Sequence, residues 1–194
     1  MNRSEHTAPA PGPRIRHTPT RLGLLGSICI LGGLGILGCA GSLDSLSLPP
    51  ALQAEPAERL LLTAQGEGHW VYHCRLSNDG QRLAWAPFQP DAVLRDGAGR
   101  EIGRLGAGPN FAHRDGSLSE ATLEQRQAVD GEHLPWARYA ARSAGAEGQF
   151  SRVTRIQQVR TRGGAVPAQG CQSGEDIMAE RRVPFVAEFR FLAR

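Results

Sequence analysis

Residues 183–191 alternate without a break: Val183, Phe185, Ala187, Phe189 and Phe191 stand between Pro184, Val186, Glu188 and Arg190. An extended strand sends successive side chains to opposite faces, whereas a helix brings back every third or fourth, so this stretch buries its apolar set only as a strand. Similar runs cover Leu60–Ala64, Trp70–Arg75, Arg82–Ala86, Ala92–Arg95, Glu101–Leu105 and Pro135–Ala141. Turn formers separate them, among them Asn78-Asp79-Gly80 and Asp96-Gly97-Ala98-Gly99, and their spacing implies antiparallel neighbours. The pattern predicts an all-β, single-domain antiparallel sandwich or partly closed barrel with long loops. Two stretches depart from it. Phe150, Val153, Ile156 and Val159 recur every third residue, which fits a helical turn or a bulged strand. Residues 118–129 have helix-forming composition with Leu118 and Leu123 out of helical register, and read as an excursion over the sheet.

The N-terminal part has another character. Arg3, Arg14, Arg16 and Arg21 precede an uncharged apolar run, Leu22–Leu37, that leads into Gly38-Cys39. This is the three-part layout of a secretory leader. Its ending resembles the lipobox of bacterial lipoproteins, in which a small residue precedes a cysteine that receives a diacylglycerol before cleavage; Leu37 stands where a smaller side chain is usual. The resemblance implies that Cys39 is the lipidated first residue of the mature chain and that the protein sits in the bacterial cell envelope, with Ala40 favouring the outer membrane of a Gram-negative host. The six glycines of Leu22–Gly38 weaken a helix, and the run is shorter than the roughly 20 apolar residues of a membrane span. An uncleaved anchor is the alternative. The division is then a signal peptide over 1–38, a lipidated tether over 39–48 and the domain over 49–194, with linker-like composition continuing to residue 58.

Charge follows the same boundary. The net +3 belongs to the leader, where four arginines face Glu5 alone, and the remainder is formally neutral. A neutral domain lacks the basic footprint that nucleic acid requires, so no nucleic-acid partner is expected. Of four cysteines, Cys29 falls in the apolar run and Cys39 in the lipobox. Cys74 and Cys171 remain, and an oxidising compartment favours a disulfide between them over two independent buried thiols.

Catalytic patterns are sparse. The chain has no lysine, which excludes a phosphate loop ending in Gly-Lys and Schiff-base chemistry. Gly97-Ala98-Gly99 and Gly106-Ala107-Gly108 lack the third glycine and the helix of a dinucleotide site. His69 and His73 are spaced about 13 Å apart along a strand, so no metal site and no cofactor is expected. His113, Asp115 and Ser117 have the residue types of a hydrolase triad, but three alternating residues of one loop do not readily converge; Asp115-Gly116-Ser117 reads more simply as a tight turn. Arg152, Arg155, Arg160 and Arg162 form a basic stripe, read as a solvated face, with an acidic ligand or lipid headgroup as the alternative.

One resemblance spans residues 49–171. Pro49-Pro50-Ala51-Leu52, Tyr72 and Cys74, Trp85, Pro90-Asp91-Ala92-Val93-Leu94, Asp96 with Gly99 and Gly103, Gly108-Pro109, Asp115-Gly116-Ser117, Pro135-Trp136, Val153-Thr154 with Ile156-Gln157, and Thr161-Arg162-Gly163-Gly164 through Pro167 to Gly170-Cys171 occur in order. Together they resemble domain-of-unknown-function family 3455, found in exported proteins of bacteria and fungi. Leu105, Phe111 and Ala137-Arg138-Tyr139 depart from the family pattern, which has histidine, tryptophan and an aliphatic run there. The resemblance implies a domain without naming a reaction.

These readings converge on a lipid-anchored binding or structural module rather than an enzyme, with the membrane as one partner and a small ligand or an envelope protein as the other. Its candidate surface is the loop set Gly106–Phe111, Asp115–Ser117 and Arg162–Gly170, with Gly108, Pro109, Asp115, Ser117, Gly163 and Gly164 as candidate binding residues, because loops on a β scaffold often carry binding groups. The rival is an envelope hydrolase using His113 or His133 with a nearby carboxylate.

Overall fold

The computed structural model describes residues 47–194. Cys39 and the leader lie outside the described residues. Eight strands follow in order: β1 (Arg59–Leu76), β2 (Leu83–Arg95), β3 (Glu101–Gly106), β4 (Asn110–His113), β5 (Leu118–Gln127), β6 (Trp136–Ser143), β7 (Arg155–Gly163) and β8 (Glu180–Ala193). Each pairs antiparallel with the next, and β8 returns to pair with β1, so one sheet closes on itself as an up-and-down barrel. The all-β antiparallel expectation holds. Of the two architectures expected, the sandwich is not formed, and the ring closes fully rather than partly, which removes its exposed edges.

The strands are longer than the sequence reading divides them. Leu60–Ala64 and Trp70–Arg75 belong to one strand of 18 residues, and the run Arg82–Ala86, from Leu83 on, belongs with Ala92–Arg95 to one of 13. Gly66 and Gly68 hide the continuity of β1. A Cβ on Gly66 would lie 2.4 Å from the Phe189 ring, and one on Gly68 would lie 2.1 Å from the Asp91 carbonyl oxygen. Close packing, not a turn, puts glycine there. In β2 the interruption is Pro87-Phe88, at a bulge opposite Val71 and Tyr72, where proline costs the ladder little.

Residues 118–127 are a strand and not an excursion, which corrects the reading of that stretch. Pairing with β4 and β6 overrides a helix-forming composition, and it places Ser119 opposite Phe111 and Leu123 opposite Tyr139. The three-residue recurrence over 150–159 resolves into both of its options. Phe150–Arg152 form a 3-10 turn, and β7 is bulged between Val159 and Arg162, with Arg160 at φ 49°. The short β4 has no counterpart among the expected strands.

Inward-facing residues fill the barrel. Phe111 meets Phe189 and Phe191 edge to face at 5.3 and 5.4 Å, and Phe150 stacks on Phe191 at 4.5 Å. Aromatic rings at these separations add about 0.5–1.5 kcal/mol per pair beyond their area burial. Residues 50–58 pack against the barrel in spite of their linker-like composition. Leu52 is fully buried, and its carbonyl accepts from Gln157 Nε2 at 2.7 Å. Arg155 of the supposed solvated stripe is buried as well, held by Glu55 and Glu58 of this segment and by Glu124.

Candidate functional site

Antiparallel alternation sorts the loops into two ends. Loops 77–82, 107–109, 128–135 and 164–179 lie at the end where β1 finishes, and loops 96–100, 114–117 and 144–154 lie at the other. The candidate loops therefore do not form one surface. Gly108, Pro109, Gly163 and Gly164 share the first end, whereas Asp115 and Ser117 belong to the second.

The second end is closed. Phe150 and Val153 of loop 144–154 are buried in the core, and Asp115 with Ser117 latches that loop. Asp115 Oδ2 accepts from the Gln149 N–H at 2.9 Å, and Ser117 Oγ accepts from the Phe150 N–H at 2.9 Å. The Ser117 hydroxyl donates to Asp115 Oδ1 at 2.5 Å. These hydrogen bonds, the serine hydroxyl foremost, hold the Asp115 carboxyl well below the usual carboxylate range. His113 Nδ1 lies 2.9 Å from Asp115 Oδ1, so a histidine, an aspartate and a serine do come together. Their connectivity is not that of a nucleophilic relay. A relay needs the serine proton directed at the imidazole, and here it is directed at the carboxylate while the oxygen is engaged by a backbone N–H and the serine is buried. The trio is a structural latch.

His133 lies in loop 128–135 at the first end, where Nδ1 is 3.3 Å from Asp130 Oδ1 and the backbone bridges to Gly164. His73 on β1 stacks on Phe88 at 4.2 Å and faces Glu180. Among the described residues, no group of three or more His, Cys, Asp or Glu side chains is placed to hold a metal ion.

The first end is open, and a cavity of about 320 Å³ sinks into it. Trp70 and Tyr72 of β1, Leu134, and Ala137 and Tyr139 of β6 form its walls, with Pro109, Leu123, Arg126 and Val166 around the rim. An eight-stranded barrel is just wide enough to be filled by side chains or to hold one small ligand. This one does both, filled by phenylalanines at the closed end and hollow where small Ala137 faces the rings of Trp70 and Tyr72. The Trp70 indole N–H has neither a partner nor contact with solvent, so the indole supplies apolar wall.

Polar groups in the cavity are few. The Tyr72 hydroxyl donates to the Gly164 carbonyl at 2.6 Å, and Gln158 Nε2 donates to the Pro135 carbonyl at 2.9 Å. Burial pushes both tyrosine hydroxyls up, Tyr72 and Tyr139 each to about 12, so they stay protonated at neutral pH. Gly163 and Gly164 serve this geometry with φ of 65° and 79°. A Cβ on Gly164 would sit 2.6 Å from Leu134 Cγ.

Segment 164–179 forms one border of the mouth. The disulfide Cys74–Cys171, with Cα atoms 5.4 Å apart, ties it to the end of β1. Trp85 Nε1 donates to the Gln169 carbonyl at 2.8 Å beside it, and Tyr72, Trp85 and both cysteines form a second small core. The compartment argument thus paired the right cysteines. Sequence reasoning missed the cavity walls, although Trp70, Tyr72 and Tyr139 all carry the parity of inward-facing residues on their strands. Their being wall rather than filling depends on the small Ala137 across the mouth, which no single strand reveals.

A family model described as a protein of unknown function (DUF3455) matches residues 55–193, all eight strands included. No curated protein and no solved structure matches the chain.

Proposed function

The chain belongs to the DUF3455 family of proteins of unknown function, and from that premise, a domain without an assigned reaction, we propose that this member is an exported, lipid-anchored envelope protein that binds a small ligand with an apolar body in the mouth of its barrel. The observation that carries the binding is the apolar cavity at the open end, walled by Trp70, Tyr72, Leu134 and Tyr139. A concave, mostly apolar site with a few convergent polar groups is what small-molecule recognition requires, and its volume falls at the lower end of the roughly 300–1,000 Å³ usual for ligand pockets. Export is supported by the leader layout of residues 3–39 and is consistent with the oxidised Cys74–Cys171 pair. The lipobox at Cys39 supports the anchor.

The neutral dye phenylnaphthylamine tests the cavity. The mature protein should take it up saturably with a rise in dye emission, and Ala137→Phe should abolish the uptake by filling the space. Val166→Trp, at the exposed rim, should weaken it without touching the core. Saturable uptake unaffected by either substitution, or none in the parent, overturns the reading. For the anchor, intact mass of membrane-extracted protein should begin at Cys39 with acyl groups attached; an unacylated, uncleaved chain refutes it.

A further inference from the structure

We propose that the barrel mouth selects an organic anion with a ring-sized apolar body and a hydroxyl at its buried end, the class of a hydroxyaryl carboxylate, bound by Tyr139 and Gln158 within and by Arg126 at the rim. The proposal rests on the cavity being a binding site and adds the chemistry of its occupant.

The inner end is set by two polar atoms. Neither the Tyr139 hydroxyl nor Gln158 Oε1 has a hydrogen-bond partner among the described residues, and neither is one of the fully enclosed polar atoms, although Tyr139 is only 9 % and Gln158 only 3 % exposed. Both residues line the cavity, so what these atoms meet is the cavity. Buried polar groups are normally satisfied. The bond from Gln158 Nε2 to the Pro135 carbonyl fixes the amide with its oxygen as acceptor. An acceptor and a hydroxyl lining one cavity without pairing to each other call for a ligand hydroxyl, which can give a proton to Gln158 Oε1 and accept one from Tyr139. A carboxylate at this depth would face the amide oxygen with no cation beside it, at a heavy desolvation cost.

The outer end is set by Arg126. On the neighbouring strands Arg138 pairs with Glu124, Arg142 with Glu120, and Arg155 with Glu55, Glu58 and Glu124. Arg126 lines the cavity but has no ion-pair partner among the described residues. Register puts it on the cavity side. Arg126 pairs with Ala137 and Ala137 with Gln158, so the three occupy one row. Strand spacing puts the backbones of Arg126 and Gln158 roughly 10 Å apart along that row, a span on the scale of one aromatic ring with a short acidic arm. An unpaired surface arginine is ordinary by itself; one at the rim of an apolar cavity whose inner polar atoms also lack partners completes a site. Between the two ends the Trp70 and Tyr72 rings favour a flat body, and the volume is too small for a diacyl lipid.

Calorimetric titration of the mature protein with para-hydroxycinnamate, cinnamate and para-hydroxycinnamyl alcohol separates the two ends. The hydroxy acid should bind tightest, and loss of either the hydroxyl or the charge should weaken binding by about tenfold, the value of one net hydrogen bond or charge-assisted contact. Tyr139→Phe should remove the preference for the hydroxyl, and Arg126→Gln should bring the acid to the level of the alcohol. Far-ultraviolet circular dichroism and the midpoint of thermal unfolding serve as the control for an intact barrel in both variants. Equal binding of the three probes, no binding of any of them by a protein that takes up the dye, or ratios unchanged in the variants overturns this ligand class and leaves the cavity reading standing. Failure to take up either the dye or the probes overturns both.

Discussion

Replacing Arg155 with methionine should destabilise the barrel far more than the loss of a surface ion pair does. The Arg155 side chain is 8 % exposed, and its Nε donates to Glu58 Oε1 at 2.5 Å, while the Glu58 side chain is fully buried. Nη2 reaches Glu55 at 3.1 Å, and Nη1 reaches Glu124. Burial works against the guanidinium charge, and the three carboxylates outweigh it, so its pKa is held above the ordinary value. In Arg155→Met two of these acids keep a partner, Glu124 with Arg138 at 3.2 Å and Glu55 with Arg194 at 2.6 Å. Glu58 does not. It retains the Glu55 N–H on Oε2 at 2.8 Å, and its other oxygen is left charged and enclosed. Breaking a buried pair in this way costs about 3–5 kcal/mol, against about 0–1 kcal/mol for an exposed pair. At about 2–4 °C per kcal/mol for a domain of this size, the midpoint of thermal unfolding should fall by roughly 6–20 °C. The double variant Glu58→Leu with Arg155→Met should recover most of that, because an apolar pair of similar volume carries no stranded charge. Calorimetric unfolding of parent, single and double variants is the measurement. A single variant within about 1 kcal/mol of the parent, or a double variant no more stable than the single, would refute the reasoning.

Reduction of Cys74–Cys171, whose partners are 97 positions apart, should lower stability by about 4–5 kcal/mol in the chain-entropy model, read as a lower urea midpoint; limited proteolysis should then cut within 164–179 first, and an unchanged midpoint with that segment still protected contradicts the account. The Asp115 latch should show in the pH profile. Its folded pKa is depressed by the Ser117 and backbone donors, so its stabilisation is fully present above the ordinary carboxylate pKa and is lost as pH falls through the lower folded value. Asp115→Asn should therefore be less stable than the parent at neutral pH, with the gap closing on acidification, and a gap independent of pH argues against the latch.

What was legible in the sequence is what a local period or a compartment decides. The alternation over 183–191 is β8, the three-residue recurrence over 150–159 is a 3-10 turn leading into a bulged strand, and the two cysteines left after the leader form the disulfide. Each depends on a few adjacent residues or on simple elimination. The tertiary structure decided the rest, because it depends on what lies across the sheet. Gly66 and Gly68 look like breaks until Phe189 and the Asp91 carbonyl are seen against them. Residues 118–127 have a helical composition that pairing on both sides overrides. Glu58 and Arg155 look solvated until the segment that holds Glu58 folds back over β7. The cavity is the extreme case, since inward parity marks Trp70, Tyr72 and Tyr139 as interior, but only closure of eight strands, with Phe150 plugging one end and small Ala137 opposite the rings at the other, makes that interior a site. Strand period is a property of neighbours along the chain, whereas an enclosed volume is a property of residues far apart in sequence, and no local pattern contains it.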